Sequence, residues 1–66
     1  MGVLFEYKQK LDTIIQQRSL DPAATKGAIG MKAGFLIGMI GPTTPDDPAK
    51  VAKLKQVVQE VLNVTL

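Results

Sequence analysis

Residues 27–41 read GAIGMKAGFLIGMIG and hold five of the six glycines of this 66-residue chain. Apart from Lys32, every residue of this segment is glycine or an apolar residue. A glycine in the interior of a helix is less favourable than alanine by about 1 kcal/mol. Any fold of this chain must therefore give an apolar, glycine-dense segment a close neighbour that offsets this cost.

Read as a helix, the segment places its five glycines within an arc of roughly 80°, since successive residues differ by about 100°. A line of glycines lets a second backbone approach closely, so that dispersion contacts replace those of the missing side chains. We predict a contact surface on this helix. Its residues are Gly27, Gly30, Gly34, Gly38, Met31, Phe35 and Met39.

The same segment also alternates in the manner of a strand between residues 29 and 40, which is the competing interpretation. Glycine weakens strands, only isoleucine is β-branched here, and the rest of the chain offers no partner strand. We therefore favour the helix over the strand.

The flanking segments predict two further helices. Residues 3–18 and 45–63 each carry apolar residues at helical spacing, with charged residues and glutamines on the opposite face. Asp21-Pro22 is a good start for the central helix, and Gly41-Pro42 is a good stop. The third helix has two candidate starts, Thr44-Pro45 and Asp47-Pro48. The sequence thus predicts an all-α three-helix bundle, with helices near 3–18, 22–40 and 45–63, in a single domain 1–66.

The shortness of the chain leaves few means of support. A domain of this size buries only about 60% of the surface of its unfolded chain. There is no cysteine and no histidine, which excludes disulfides and thiolate or imidazole metal ligands. The absence of cysteine and of a signal-peptide pattern in MGVLFEYKQK favours a cytoplasmic location.

The central helix is apolar nearly all round, and two amphipathic neighbours cannot enclose it completely. Exposed apolar patches usually mark interaction sites. We therefore predict that oligomerisation completes the bundle, with a homodimer as the simplest closed form. Another helical protein is a second candidate partner, and a monomer closed by Phe5, Leu20 and the linker is the alternative.

The composition of this chain offers few side chains that could catalyse a reaction. Without histidine, acid–base chemistry near neutral pH needs a perturbed carboxyl or amine, and only Asp46 and Asp47 are adjacent carboxylates. These two precede a helix, where acidic residues interact favourably with the helix dipole. No phosphate-binding glycine motif occurs. We expect no enzymatic activity, no cofactor and no metal.

The predicted function is therefore a non-enzymatic protein–protein interaction or oligomerisation module. One alternative is a membrane-active, small cationic helical peptide, although residues 27–41 would span only about 22 Å against roughly 30 Å of hydrocarbon. A second alternative is a helix-turn-helix DNA-binding protein. Asp46 and Asp47 would face phosphates badly, and the net charge is only +2. We therefore expect no nucleic-acid partner.

Overall fold

The computed structural model describes residues 2–66 and contains three α-helices. They are α1 (Val3–Gln17), α2 (Pro22–Ala33) and α3 (Pro48–Leu62), and a short 3₁₀ helix (Ile37–Met39) lies between α2 and α3. No strand occurs among residues 2–66. The predicted all-α, three-helix fold is confirmed. Met1, the first residue of the predicted domain, lies outside the described residues.

Two helices begin with the same local device, an aspartate followed by proline. Asp21 accepts hydrogen bonds from the N–H groups of Ala23 (3.0 Å) and Ala24 (3.2 Å) at the start of α2. Asp47 accepts one from the Ala49 N–H (2.9 Å) at the start of α3. In both cases a side-chain oxygen satisfies N–H groups that have no intrahelical partner, and proline stands at a position that needs no N–H donor. Of the two starts considered for the third helix, Asp47-Pro48 is the observed one.

Helix α1 is capped by a residue of the linker between α2 and α3. Its N-cap residue, Gly2, has no side chain to accept a hydrogen bond. Instead, the Asp46 carboxylate accepts from the Val3 N–H (3.0 Å) and the Leu4 N–H (3.1 Å). The expectation that Asp46 and Asp47 serve the same helix start is therefore wrong. Asp46 fastens the α2–α3 linker to the first turn of α1.

Helix α2 ends at Ala33, so the prediction of one helix through residue 40 is wrong beyond that point. Gly34 follows with a φ of +84° and donates its N–H to the Gly30 carbonyl at 2.8 Å. Glycine takes this left-handed conformation readily, which makes it the usual residue just past a helix end. The chain then runs through extended Leu36 into the 3₁₀ helix. The strand interpretation of residues 29–40 is also wrong, since 29–33 are helical and no strand follows.

The break in α2 lets residues on both sides of it enter the same core. Ile29 is buried in α2, and Ile37 and Ile40 are buried from the segment that follows. They pack with buried residues of α1 and α3, and the described residues include no buried polar side chain. Among the described residues, the buried core comprises Leu4, Leu11, Ile15, Ile29, Ile37, Ile40, Leu54, Val57 and Val58.

A single copy encloses this core. The accessible surface is 4112 Å² for a mass of 7.1 kDa, and a compact monomer of that mass is expected to expose about 4,100 Å². The core is therefore closed without a partner chain. Only exposed surface residues can favour association.

Candidate interaction surface

A groove of about 550 Å³ lies between α2 and the segment that follows it. We call it the glycine groove. Its lining residues are Lys26, Gly27, Gly30, Met31, Gly34, Phe35, Leu36, Ile37 and Gly38. Six of the seven residues predicted from the sequence to form a contact surface line this groove, and the seventh, Met39, lies outside it. Whether these residues bind a partner stays a prediction.

The glycines reach the groove by a different geometry from the one predicted. Because α2 ends at Ala33, only Gly27 and Gly30 are helical, whereas Gly38 belongs to the 3₁₀ helix. The single helical stripe of Gly27, Gly30, Gly34 and Gly38 therefore does not exist. The chain folds back instead and brings these residues together from two segments.

Two of the helical glycines differ in what surrounds them. A Cβ atom placed on Gly30 would lie 2.9 Å from the Phe35 carbonyl oxygen, so the close backbone approach at this position is made within the chain itself. A Cβ atom on Gly27 would meet nothing within 4 Å. The absent side chain of Gly27 thus leaves open space on the groove.

Gly34 and Gly38 also differ, in this case in backbone conformation. A Cβ atom on either would meet no neighbour within 4 Å, but only Gly34 has a positive φ. A leucine at position 34 would strain the backbone whatever space is available. Gly34→Leu would therefore test the fold and not only a contact surface.

Large apolar side chains project beside the groove. Met31 is 87% exposed and Leu36 is 69% exposed, and both line the glycine groove. An exposed methionine or leucine is ordinary when it stands alone, but neighbouring ones form the kind of apolar patch that marks interaction sites. The glycine groove thus combines open space with projecting apolar side chains.

The glycine groove carries almost no net charge. Within residues 2–66, Lys26 is its only charged lining residue, and the Lys26 ammonium forms an ion pair with the Asp12 carboxylate of α1. No carboxylate among residues 2–66 lines the groove. An uncharged apolar segment can enter it without leaving a buried charge unpaired.

A second groove of about 350 Å³ lies on the other side of Leu36. Its lining residues are Leu4, Phe35, Leu36, Met39, Ile40, Thr44 and Lys50. Met39 is 76% exposed. The Lys50 ammonium lies 5.7 Å from the centre of the Phe35 ring, within the range of a cation–π interaction. Phe35 and Leu36 line both grooves.

The segment between the grooves is held in place by a lysine of α1. Lys8 Nζ donates to the Ile40 carbonyl oxygen at 2.9 Å and approaches the Gly38 carbonyl oxygen at 3.5 Å. With Ile37 and Ile40 buried in the core, this tether fixes the position of the exposed residues Leu36 and Met39. The segment that lines both grooves is therefore held against α1 and the core.

Sequence reasoning missed Leu36 and Lys50 as surface residues beside the predicted set. In the predicted continuous helix 22–40, nothing local distinguishes Leu36 from Ile37. Lys50 reaches Phe35 only because α3 packs beside the end of α2. The signal that would have found Leu36 is the glycine at position 34, read as a helix stop.

Among residues 2–66, no group of three or more Asp or Glu side chains converges in the manner of a metal site. The helices of this part of the chain are all too short or too polar to cross a membrane. No protein-family model, curated protein or solved structure matched the chain in comparison. The functional interpretation therefore depends on the two grooves.

Proposed function

We propose that this protein is a non-enzymatic interaction module that associates with a second copy of itself through the glycine groove. The observation that carries the proposal is the position of Met31, which projects from the edge of a groove that contains open space above Gly27. A projecting apolar side chain and an open recess thus lie on one surface.

A twofold contact requires a surface that is complementary to itself. Residues 27 and 31 are four apart on α2 and differ by roughly 40° around the helix axis, so they share a face. When two α2 helices cross, Met31 of each copy faces the space above Gly27 of the other. The Lys26–Asp12 ion pair keeps the centre of this contact free of like-charge repulsion.

The expected dimer is weak and depends on concentration. A standard interface buries about 800 Å² per partner, roughly a fifth of the 4112 Å² surface of this chain. In a twofold dimer, burial of Met31 and Leu36 on both copies contributes about 1.5–3 kcal/mol for each of the four side chains. Association itself costs about 4–15 kcal/mol. The surplus is small, so the oligomeric state must be measured over a range of protein concentrations.

Filling the open space above Gly27 tests the proposal. Gly27→Leu introduces a side chain where nothing lies within 4 Å, so the monomer is expected to fold while the recess for Met31 is lost. Sedimentation velocity between low micromolar and millimolar protein should show the wild type dimerising and Gly27→Leu remaining monomeric at the same concentrations.

Ala28→Leu is the matched control, because Ala28 is an exposed neighbour on α2 that does not line the groove. It adds similar apolar surface and should dimerise like the wild type. Met31→Gln keeps the length of the projecting side chain but makes its end polar, and because Met31 lies outside the core it should weaken association without affecting the fold. A wild type that stays monomeric up to millimolar concentration, or a Gly27→Leu variant that dimerises normally, would refute the proposal.

A further inference from the structure

We infer that the second groove binds an amphipathic helix of another protein, one whose apolar stripe is bordered by aspartate or glutamate. The inference goes beyond self-association and uses a surface that shares Phe35 and Leu36 with the glycine groove but includes neither Gly27 nor Met31. We use the name lysine-flanked surface for the second groove together with the lysines at its edge. Its exposed or partly exposed residues include Phe35, Met39, Lys50 and Lys53.

The apolar part of this surface is recessed. Leu4 and Ile40 are core residues and form the floor of the 350 Å³ groove, while Met39 projects beside it. A recess with an apolar floor suits the side chains of a helix laid across it, which is a common mode of peptide recognition. A flat lipid surface would not reach this floor.

The charged part of the surface has one sign. Lys50 and Lys53 border Phe35, and a shallow adjoining cavity of about 340 Å³ is lined by both lysines. No carboxylate among the described residues lines either cavity, and neither lysine forms an ion pair within residues 2–66. Two unopposed ammonium groups thus stand beside an apolar recess.

The nearest carboxylates along the chain are already engaged. Asp46 accepts hydrogen bonds from the first turn of α1, and Asp47 accepts one from the first turn of α3. There they offset the positive ends of the two helix dipoles. Among residues 2–66, neither carboxylate forms an ion pair with Lys50 or Lys53.

The pattern of charge selects the occupant. Lys50 and Lys53 are three residues apart on α3, so they lie about one helical turn from each other on one face. Two carboxylates one turn apart along the edge of a partner helix would match them. A second copy of this chain would bring its own Lys50 and Lys53 to the same place, where like charges disfavour pairing.

The test uses two model peptides, both built on a helix with leucines at i, i+3, i+4 and i+7. One peptide has glutamates along the edge of the stripe, and the other has lysines at the same positions. Each is titrated into the full ¹⁵N-labelled chain at low salt. The glutamate peptide should bind more tightly and shift the amide signals of Met39 and Lys50, which do not line the glycine groove, leaving those of Gly27 and Met31 unchanged.

Charge reversal gives the matched comparison. Lys53→Glu should weaken binding of the glutamate peptide roughly two- to five-fold, the range expected for one exposed ion pair. Lys55→Glu makes the same charge change on α3 but away from both cavities, and it should leave binding near that of the wild type. Added salt should reduce the difference between the peptides.

Three results would overturn the inference. Equal binding of the two peptides would remove the role of the lysines. Signal changes confined to Gly27 and Met31 would assign the helix to the glycine groove instead. Binding to phosphatidylserine vesicles without binding of the glutamate peptide would assign the surface to lipid. The sedimentation of Gly27→Leu is measured separately, so failure here and failure of the proposed dimer are distinguishable.

Discussion

Gly27 and Gly30 lie one turn apart on α2, yet the structure requires glycine at only one of them. At Gly30 the carbonyl oxygen of Phe35 occupies the position next to the missing side chain. At Gly27 the same position is open. The two residues are equivalent in sequence pattern and differ only in what the rest of the chain places beside them.

This difference predicts opposite effects of one substitution. Gly27→Ala should stabilise the monomer by up to about 1 kcal/mol, because alanine is the better helix former. In Gly30→Ala, the new Cβ atom would lie 2.9 Å from a backbone oxygen. Overpacking of this kind costs about 1–3 kcal/mol and should exceed the gain in helix propensity.

Thermal unfolding at low protein concentration measures both variants. In a domain of this size, 1 kcal/mol corresponds to a change in Tm of roughly 4–8 °C. The Tm should rise for Gly27→Ala and fall for Gly30→Ala. Equal changes in the two variants would show that the Phe35 carbonyl does not restrict position 30.

The first turn of α1 is capped by the carboxylate of Asp46, which lies 43 residues from Val3 in the sequence. The hydrogen bonds from Val3 and Leu4 hold the pKa of Asp46 below its ordinary value of 3.8, because they favour the charged carboxylate. A group whose pKa is lowered by folding stabilises the folded state above its unfolded pKa. That stabilisation is lost as the pH falls through the lower, folded value.

We therefore expect part of the acid sensitivity of this protein to come from Asp46. Between about pH 5 and pH 2, the free energy of unfolding of the wild type should fall as Asp46 is protonated. Asp46→Asn should be less stable than the wild type at neutral pH and should lose less stability over the same interval. Urea unfolding measured at several pH values gives both quantities.

Asp12→Asn is a useful control for this experiment, since Asp12 pairs with Lys26 and does not cap a helix. It changes the charge by the same amount and leaves the hydrogen bonds of Val3 and Leu4 in place. If Asp46→Asn kept the full acid dependence of the wild type, another carboxyl group would be responsible for it.

The segment that follows α2 is buried in the core on one side and exposed to solvent on the other. Ile37 is 1% exposed, whereas its neighbour Leu36 is 69% exposed. Adjacent residues of similar size thus face opposite environments. The 3₁₀ helix is the reason, because it turns Ile37 inward between α2 and the rest of the core.

Truncation of these neighbours should separate core from surface. Ile37→Ala should cost about 2–5 kcal/mol, as expected for a buried isoleucine. That is a large part of the stability of so small a domain, which is roughly 3–10 kcal/mol. Leu36→Ala should change stability by less than about 0.5 kcal/mol. Urea unfolding of the two variants is the measurement, and similar losses in both would contradict the burial of Ile37.

Much of the architecture could be predicted from local sequence. Asp21-Pro22 and Asp47-Pro48 start their helices through bonds made within three residues, and the apolar spacing of α1 and α3 faces one core. Such features act over a few residues, so they are visible in the sequence. Many residues of the glycine groove were also predictable, because five of the six glycines lie in one apolar segment, where missing side chains leave room for a close contact.

The geometry of that groove was decided by tertiary structure. Residues 34–40 are apolar enough for a helix to continue, and Gly34 and Gly38 would each cost only about 1 kcal/mol within it. Burial of Ile37 and Ile40 and the close approach of Phe35 to Gly30 favour the stop. These contacts join residues from all three helices. Sequence alone therefore determined three helices and the composition of an apolar surface, and long-range packing turned the expected glycine stripe into a groove.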